Sequence, residues 1–331
     1  LPLVDGGEGL VAWVRALLLA RQDATPVPLT ARLATLKSEG VVAICDISNG
    51  GDTVDEILAG GLCGVVAHEF LGMDIHAERP IAAAVPAAEE RYRGTGGEII
   101  RRATPHGLYS TAPLILDAAL SCKSAAPASI HIGEDTEEVV FVQSGGGLFA
   151  GFLDDLPITW RPHQAAGVGL IARLKEFGGL GPQTMLVHGV TLTDEEIAEV
   201  ASADATIVLC PRSNMHISGT LPALDKLMAA GVSLAIGTDS LASCPSLSPI
   251  EDVRLLAHHF PEVSVSDLIT MVTLGGARAL NLRGLGSIAV GLRPGLVLFR
   301  GAPDPRSLLL SGEPQLIVPA FGTFPVESQS A

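Results

Sequence analysis

Between residues 184 and 243, three short apolar runs each end on polar residues. The run MLVHG ends at His188, TIVLCPRSN ends at residues 212–214, and SLAIGTDS ends at Asp239. The intervening segments DEEIAEVA and LPALDKLMAAG have the helical period of apolar positions, the first with an acidic first turn and the second followed by glycine. This alternation predicts βαβ units and a parallel sheet, whose functional groups lie at the carboxyl ends of its strands.

The same alternation covers most of the chain. GLVAWVRALLLAR opens it as a helix, and four further strands are predicted in VVAICDIS, GLCGVVAHEF, the segment before TPHGLYST, and ASIHI. The total is seven strand–helix passes, one fewer than a closed (β/α)8 barrel requires. We therefore predict an α/β fold in which residues 1–283 form a TIM-type barrel that lacks its first strand. Residues 284–331, with two strands in SIAVGLRPGLVLFR, are predicted to be the C-terminal part of a small β-sandwich.

Composition narrows the class of protein. The 331 residues are 47% hydrophobic and 4% aromatic, which provides for a large aliphatic core. A net charge of −15 argues against a nucleic-acid polymer as partner, because phosphate backbones require a basic surface. Five cysteines without paired spacing indicate reduced thiols and a cytoplasmic protein. The apolar runs are too short to span a membrane, so we expect no membrane partner. Among the classes of partner considered, a small-molecule substrate is therefore the one that we expect.

Three predicted strand ends carry residues that bind metals. His131, His188 and Asp239 end three different strands, and a divalent ion that activates water needs imidazoles and a carboxylate from several strands. Taken singly, each has an ordinary structural reading. Glu134 lies about one helical turn beyond His131, so its carboxylate can reach the same water without being a ligand. The pattern predicts a metal site with Glu134 as proton shuttle.

Other polar residues at the strand ends are candidates for substrate binding. They are Glu69, His106, Tyr109, Ser110, Arg212 and Asn214. The planar guanidinium of Arg212 could pair with a substrate carboxylate, but an ion pair with a nearby acid is an equal alternative. His106 and Ser110 could orient a nucleoside, and Glu69 could accept a hydrogen bond from a ribose hydroxyl. For each of these residues a purely structural role stays open.

The segments HIGE, LVHG, CPRSN and GTDSLAS resemble the signatures of strands 5 to 8 in the amidohydrolase superfamily. The similar branch contains cytosine deaminases, S-adenosylhomocysteine deaminases and triazine chlorohydrolases. The resemblance implies that His131 and Asp239 bind one divalent ion, zinc by expectation and iron as the alternative. It also implies that Glu134 is the proton shuttle and that His188 polarises the attacked centre or joins the metal shell. A homodimer is a further expectation at the level of the family.

Earlier segments extend the resemblance to one activity. WVRALLLAR, CDISN, HEFLG and TPHGLYST are similar to segments of aminodeoxyfutalosine deaminases of menaquinone biosynthesis. The resemblance implies metal-dependent hydrolytic deamination of an aminopurine nucleoside-like compound, of the aminodeoxyfutalosine or S-adenosylhomocysteine/methylthioadenosine type. The same set of residues also serves hydrolytic dechlorination or N-dealkylation of a triazine-like ring.

One departure from the family concerns the metal. The family's first strand ends in H-x-H, which supplies two ligands, and this motif does not occur in the sequence. We expect the pair, and the strand that carries it, to lie before Leu1. The departure leaves a third hypothesis, a catalytically inactive barrel that binds a ligand.

Overall fold

Seven parallel strands in chain order form the centre of the fold. The structure, a computed structural model, describes residues 2–23, 28–92, 98–161, 167–292, 294–301 and 304–318. Two parallel sheets, ordered β1-β2-β3 and β4-β5-β6-β7, contain the seven strands. The strands are β1 (Ala43–Ser48), β2 (Cys63–Phe70), β3 (Ile99–Pro105), β4 (Ala128–Ile132), β5 (Thr184–His188), β6 (Thr206–Leu209) and β7 (Ser233–Ile236).

Helices alternate with these strands along the chain. The described helices are α1 (Leu10–Gln22), α2 (Leu29–Ser38), α3 (Val54–Ala59), α4 (Glu78–Tyr92), α5 (Pro113–Leu120), α6 (Thr136–Ser144), α7 (Gly147–Asp154), α8 (Leu170–Glu176), α9 (Asp194–Ser202), α10 (Pro211–Ile217), α11 (Leu224–Ala229), α12 (Pro249–His259), α13 (Val265–Thr270), α14 (Gly276–Ala279) and α15 (Pro305–Ser311). A π-helical turn, Met271–Gly275, joins α13 to α14. None of these helices combines the length and hydrophobicity that crossing a bilayer requires.

The two parallel sheets are joined between β3 and β4. Gly107 and His131 form a single parallel bridge, and the His131 amide donates to the His106 carbonyl at 2.7 Å. The Thr104 hydroxyl accepts from the Ser129 amide at 2.8 Å and donates to the Ser129 carbonyl. A side chain therefore replaces the backbone ladder at this seam, and His131 is held beside His106 at the carboxyl ends of the strands.

Burial differs between the inner and the end strands. All five residues of β5 are buried, and β2 is buried except at one half-buried residue. The end strands β1 and β7 are largely half-exposed, and neither pairs with a further strand among the described residues. The predicted count of seven strands is confirmed.

The expectation of two strands in SIAVGLRPGLVLFR is wrong in its first half. Residues 287–292 form turns and irregular structure, in which the Leu292 amide donates to the Ala289 carbonyl and Gly291 has φ 87°. Ile288 and Val290 are fully or mostly exposed, so their alternation does not serve a sheet face. β8 (Leu296–Arg300) instead pairs antiparallel with β9 (Glu313–Val318). Residues 319–331 lie outside the described residues, and the β-sandwich stays a prediction.

Thr104→Val tests the seam between the sheets. The change removes both hydroxyl contacts and leaves the buried Ser129 amide and carbonyl without those partners, so we expect unfolding to become easier by about 1–3 kcal/mol. Urea unfolding followed by circular dichroism measures the loss. The matched control is Thr35→Val on the exposed face of α2, which should change stability by less than about 0.5 kcal/mol. Equal stability of the two variants would contradict the role of the seam.

Candidate active site

Two histidines and a glutamate meet at the carboxyl ends of β4 and β5. His131 Nδ1 lies 2.9 Å from His188 Nε2, and that Nε2 lies 3.5 Å from Glu134 Oε1. One ligand atom from each of the three residues falls within 4.8 Å of the other two. His188 is fully buried and Glu134 is 5% exposed, so the cluster lies inside the protein at the base of the strand ends. Three of the residues predicted from the sequence are thus brought together.

The backbone turns sharply where these side chains leave the strands. His188 has φ 83° and Asp239 has φ 57°, in the left-handed region that residues other than glycine adopt at a cost of about 1–3 kcal/mol. Gly133, between His131 and Glu134, has φ 64°, and glycine adopts this left-handed conformation without strain because it has no Cβ. Strained backbone at functional residues indicates that the surrounding structure fixes their directions.

Glu134 is held by its neighbours on both sides. The Tyr109 hydroxyl donates to Glu134 Oε2 at 3.4 Å, and the Glu134 amide donates to Glu138 Oε2 at 3.0 Å. Burial raises the pKa of Glu134 to about 8, with the Asp239 charge adding to the rise and His131 opposing it. A carboxyl group whose pKa lies close to neutrality can both take up and release a proton there.

The imidazoles are kept neutral by burial. Burial lowers the pKa of His131 to about 4, and proximity to His106 and His188 lowers it further. The pKa of His106 is also lowered to about 4, again mainly by burial, and the two rings stack with centroids 4.7 Å apart. Neutral imidazole nitrogens are the form that binds metals. The histidines therefore offer lone pairs at neutral pH.

Asp239 lies beside the cluster, and its carboxylate is bound by two hydroxyls. Ser213 and Ser243 donate to Asp239 Oδ2 at 2.6 and 2.7 Å. Burial raises the pKa of Asp239, but His188, His131 and these hydrogen bonds outweigh burial, and the net pKa is lowered. Asp239 does not join the three-residue cluster, so its role as a metal ligand stays a prediction.

A second group of donors shares His131. Glu69, His106 and His131 also bring one ligand atom each within 4.8 Å of one another. His106 Nδ1 lies 2.6 Å from the Ser110 hydroxyl, which leaves the other ring nitrogen for a partner in the site. Glu69 Oε2 accepts from the Asn49 amide at 2.8 Å. The predicted substrate-binding residues Glu69, His106 and Ser110 thus adjoin the cluster, and their role stays a prediction.

Arg212 and Asn214 face groups of the protein. The Arg212 side chain donates to Asp252 Oδ2 at 2.9 Å, and its remaining nitrogens bind Ser246 and the Ser248 carbonyl. These contacts match the structural ion pair that was the alternative to substrate binding. Asn214 Nδ2 lies 3.0 Å from His188 Nδ1, on the side of the ring opposite the cluster. Substrate binding by either residue has no support in these contacts.

The sequence reasoning missed the groups that surround the catalytic side chains. These residues are Ser213, Ser243, Asp252 and Glu138. Ser213 lies within the quoted CPRSN segment and Ser243 within GTDSLAS, so proximity to the motifs was a usable signal. Glu138 follows Glu134 by four residues, which is one helical turn, but the pattern alone does not distinguish a buried glutamate from a solvated one.

The cluster fits a catalytic metal ion in its donor chemistry. Catalytic zinc takes three protein ligands of the nitrogen, oxygen or sulfur type and keeps one position open. His131 and His188 face one another with only a single proton to share between their near nitrogens, and the Glu134 carboxylate lies beside His188. The two imidazoles offer two of the three ligands, and the Glu134 carboxylate lies within 4.8 Å of both, where it can reach a water in the open position.

Residues 53–321 match the sequence profile described as the Amidohydrolase family. Aminodeoxyfutalosine deaminase of Deinococcus radiodurans is 28% identical over 262 residues, which are 75% of this chain and 62% of that protein. A 5-methylthioadenosine/S-adenosylhomocysteine deaminase of Nitratidesulfovibrio vulgaris is 32% identical, over 61% of this chain and 43% of that protein. The chain thus spans 43–62% of the length of these relatives.

The fold is similar to a solved deaminase structure. The crystal structure of Helicobacter pylori aminofutalosine deaminase with methylthio-coformycin matches this chain with a TM-score of 0.78 at 21% sequence identity. The match covers 95% of this chain and 80% of that one. This agreement confirms the predicted α/β barrel fold, and the sequence identity is too low to carry the argument beyond the fold.

Glu138→Gln tests how strongly burial acts beside Glu134. Glu138 is fully buried, its Oε1 has no hydrogen-bond partner among the described residues, and burial raises its pKa well above the ordinary 4.5. Above pH 4.5 the unfolded chain releases this proton while the folded protein retains it, so wild-type stability falls as pH rises. We expect the stability of Glu138→Gln relative to wild type to increase from pH 5 to pH 8, by at most about 1.4 kcal/mol per pH unit.

The measurement is urea unfolding at several pH values with a chelator present. Glu262→Gln, at an exposed position, is the matched control and should parallel the wild type. A difference between Glu138→Gln and wild type that does not change with pH would contradict the effect of burial.

Proposed function

The chain belongs to the amidohydrolase family, and we propose that it catalyses the hydrolytic deamination of an aminopurine nucleoside-like substrate. The observation that carries the proposal is the buried cluster of His131, Glu134 and His188, which combines metal-binding nitrogens with a carboxyl group able to transfer protons near neutral pH. The names of the matched relatives support the choice of deamination among the reactions of the family.

The proposed metal ion is held by His131 and His188, with Asp239 as the further ligand that the family resemblance implies. When bound, a divalent ion lowers the pKa of water and polarises the centre under attack. Zinc is the proposed ion and iron the alternative. Because burial keeps both imidazoles neutral, protons hardly compete with the metal ion for their nitrogens at pH 7.

Glu134 carries the proton transfers. Its carboxylate accepts a proton from the attacking water and delivers it toward the ring nitrogen and the departing amine. Water adds to the amino-bearing carbon, the carbon–nitrogen bond breaks, ammonia leaves, and the ring keeps the oxygen as a carbonyl. The Tyr109 hydroxyl on Glu134 Oε2 leaves Oε1 directed at His188, which orients the carboxyl group for these steps.

His188 and Asp239 act on the charge that develops during the attack. The Asp239 carboxylate, with its lowered pKa, is ionised at neutral pH and is held in place by Ser213 and Ser243. Fixed charges and dipoles in a water-excluded site stabilise a transition state without having to reorient. His188 itself is fully buried, so its ring is out of contact with bulk water.

The proposed substrate class follows the relatives and the second group of donors. Aminodeoxyfutalosine and 5-methylthioadenosine or S-adenosylhomocysteine are the compounds in the relatives' names. Glu69 and His106, beside His131, are the proposed contacts for ring nitrogens and ribose hydroxyls. A role in menaquinone biosynthesis belongs to the aminodeoxyfutalosine version of the proposal.

Ammonia release by the full-length, zinc-loaded protein tests the reaction. Aminodeoxyfutalosine, methylthioadenosine and S-adenosylhomocysteine are the substrates, and we expect release from at least one. A chlorinated and an amino-substituted triazine form a second panel. Release of chloride or amine from the triazines alone would favour the dechlorinase alternative, and no product from either panel would favour an inactive, ligand-binding barrel.

Glu134→Gln tests the proton shuttle. Glutamine keeps the shape of the side chain but cannot carry a proton, so we expect kcat to fall by about 10²–10⁴-fold while substrate binding is retained. Steady-state kinetics on the active substrate measure the change, with Glu262→Gln as the control of unchanged kcat. If the kcat of Glu134→Gln stays within about twofold of the wild-type value, the assignment of Glu134 as the proton shuttle is contradicted.

Metal removal tests the ion. Dialysis against a chelator should abolish ammonia release, and one equivalent of zinc should restore it, because the residues of the cluster do not activate water alone. His131→Gln should bind zinc more weakly in a competition titration with a chromogenic chelator. Full activity of protein shown to be free of metal would overturn this part of the proposal.

A further inference from the structure

Asn214 is buried against the ring nitrogen of His188 that faces away from the cluster. Asn214 and His188 are both fully buried, and Asn214 Nδ2 lies 3.0 Å from His188 Nδ1. The second amide atom, Asn214 Oδ1, has no hydrogen-bond partner among the residues that the structure describes. A buried acceptor without a donor is destabilising, so the orientation of this amide matters to the site.

The amide has two orientations, which have opposite consequences for His188. With Nδ2 toward the ring, Nδ1 must be the acceptor and the proton of the neutral imidazole sits on Nε2, between His131 and Glu134. A half-turn of the amide brings Oδ1 to the ring, where it accepts from Nδ1–H. The Nε2 lone pair then points at His131 and Glu134. The second orientation pairs Oδ1 with a donor and moves Nδ2 to the position that Oδ1 occupied.

The helix that carries Asn214 is fixed from both ends. At its start, the Arg212 amide and guanidinium both donate to the buried Asp252 carboxylate, at 3.0 and 2.9 Å. At its end, the Ile217 carbonyl accepts from the amides of Gly7 and Gly9. These contacts hold α10 against the strand ends, so the distance from Asn214 to His188 is set by the fold. The ion pair of Arg212 thus serves the site indirectly.

We propose that Asn214 is a positioning residue whose Oδ1 accepts the Nδ1 proton of His188 and thereby directs the Nε2 lone pair into the cluster. The inference deepens the proposed function and rests on it for the role of His188. It assigns to Asn214 a contact with a catalytic residue in place of the contact with substrate that the sequence indicated. In metal sites, partners of this kind orient the ligand and fix its tautomer.

Nuclear magnetic resonance of the histidine rings tests the proposal directly. Full-length protein labelled with ¹⁵N-histidine is measured with and without zinc at pH 7.5, and His188 is assigned by loss of its signals in His188→Gln. We expect the wild-type ring to carry its proton on Nδ1 in both states. A proton on Nε2 in the metal-free protein, where no metal imposes the tautomer, would overturn the proposal without recourse to any variant.

Two substitutions separate tautomer control from packing. Asn214→Asp retains an acceptor for Nδ1–H and should retain the tautomer, whereas Asn214→Leu has similar size and no acceptor and should lose it. Zinc affinity, measured by competition with a chelator, should fall by about 10–100-fold in Asn214→Leu and remain much higher in Asn214→Asp. Asn281→Asp, at an exposed position, is the matched control. Equal zinc affinities of the Leu and Asp variants would contradict the proposal.

The readouts distinguish this inference from the proposed function. If the wild type shows the Nδ1–H tautomer and Asn214→Leu loses it, but no amino-heterocycle is deaminated, the inference stands and deamination fails. If ammonia is released while the tautomer is the same in wild type and Asn214→Leu, deamination stands and the role of Asn214 fails. Should Asn214→Leu not fold, the wild-type tautomer and the zinc affinity of Asn214→Asp still decide.

Discussion

Burial of titratable groups at the carboxyl ends of β4 and β5 is the constraint on which the site depends. Within one cluster, desolvation lowers the pKa of His131 to about 4 and raises that of Glu134 to about 8. Both shifts favour the uncharged form, so the same physical cause leaves nitrogens free for a metal ion and a carboxyl group able to exchange protons. Such divergent shifts within one group of neighbouring side chains are typical of functional sites.

The surrounding fold compensates for the burial of these groups with fixed hydrogen bonds. Asp239 stays ionised because Ser213, Ser243 and the histidines stabilise its charge. The charge of Arg212 is satisfied by Asp252, so the guanidinium anchors α10 and presents Ser213 and Asn214 to the site. The left-handed backbone at His188 is tolerated because β5 is buried along its entire length.

Much of this arrangement was predictable because periodicity reports strands directly. The apolar runs predicted the seven parallel strands. Because the carboxyl ends of neighbouring parallel strands lie on the same side of a sheet, the sequence also predicted that His131, Glu134 and His188 lie close together. The partner of Arg212 was not predictable, since Asp252 lies 40 positions later on another helix. The contact between the Asn214 amide and His188 was not predictable either, because it depends on how α10 packs against the strand ends. The prediction of a strand in SIAVG was wrong, because alternating apolar residues indicate a strand only where a partner strand covers them.

The central claim is that His131 and His188 bind one metal ion. X-ray diffraction from crystals of the zinc-loaded full-length protein, with anomalous data at the zinc edge, tests it most directly. The account predicts a single strong anomalous peak bonded to one nitrogen of each ring at about 2.0–2.1 Å, with Glu134 beside it. A peak remote from both rings, or no bound zinc in protein that is otherwise folded, would contradict it.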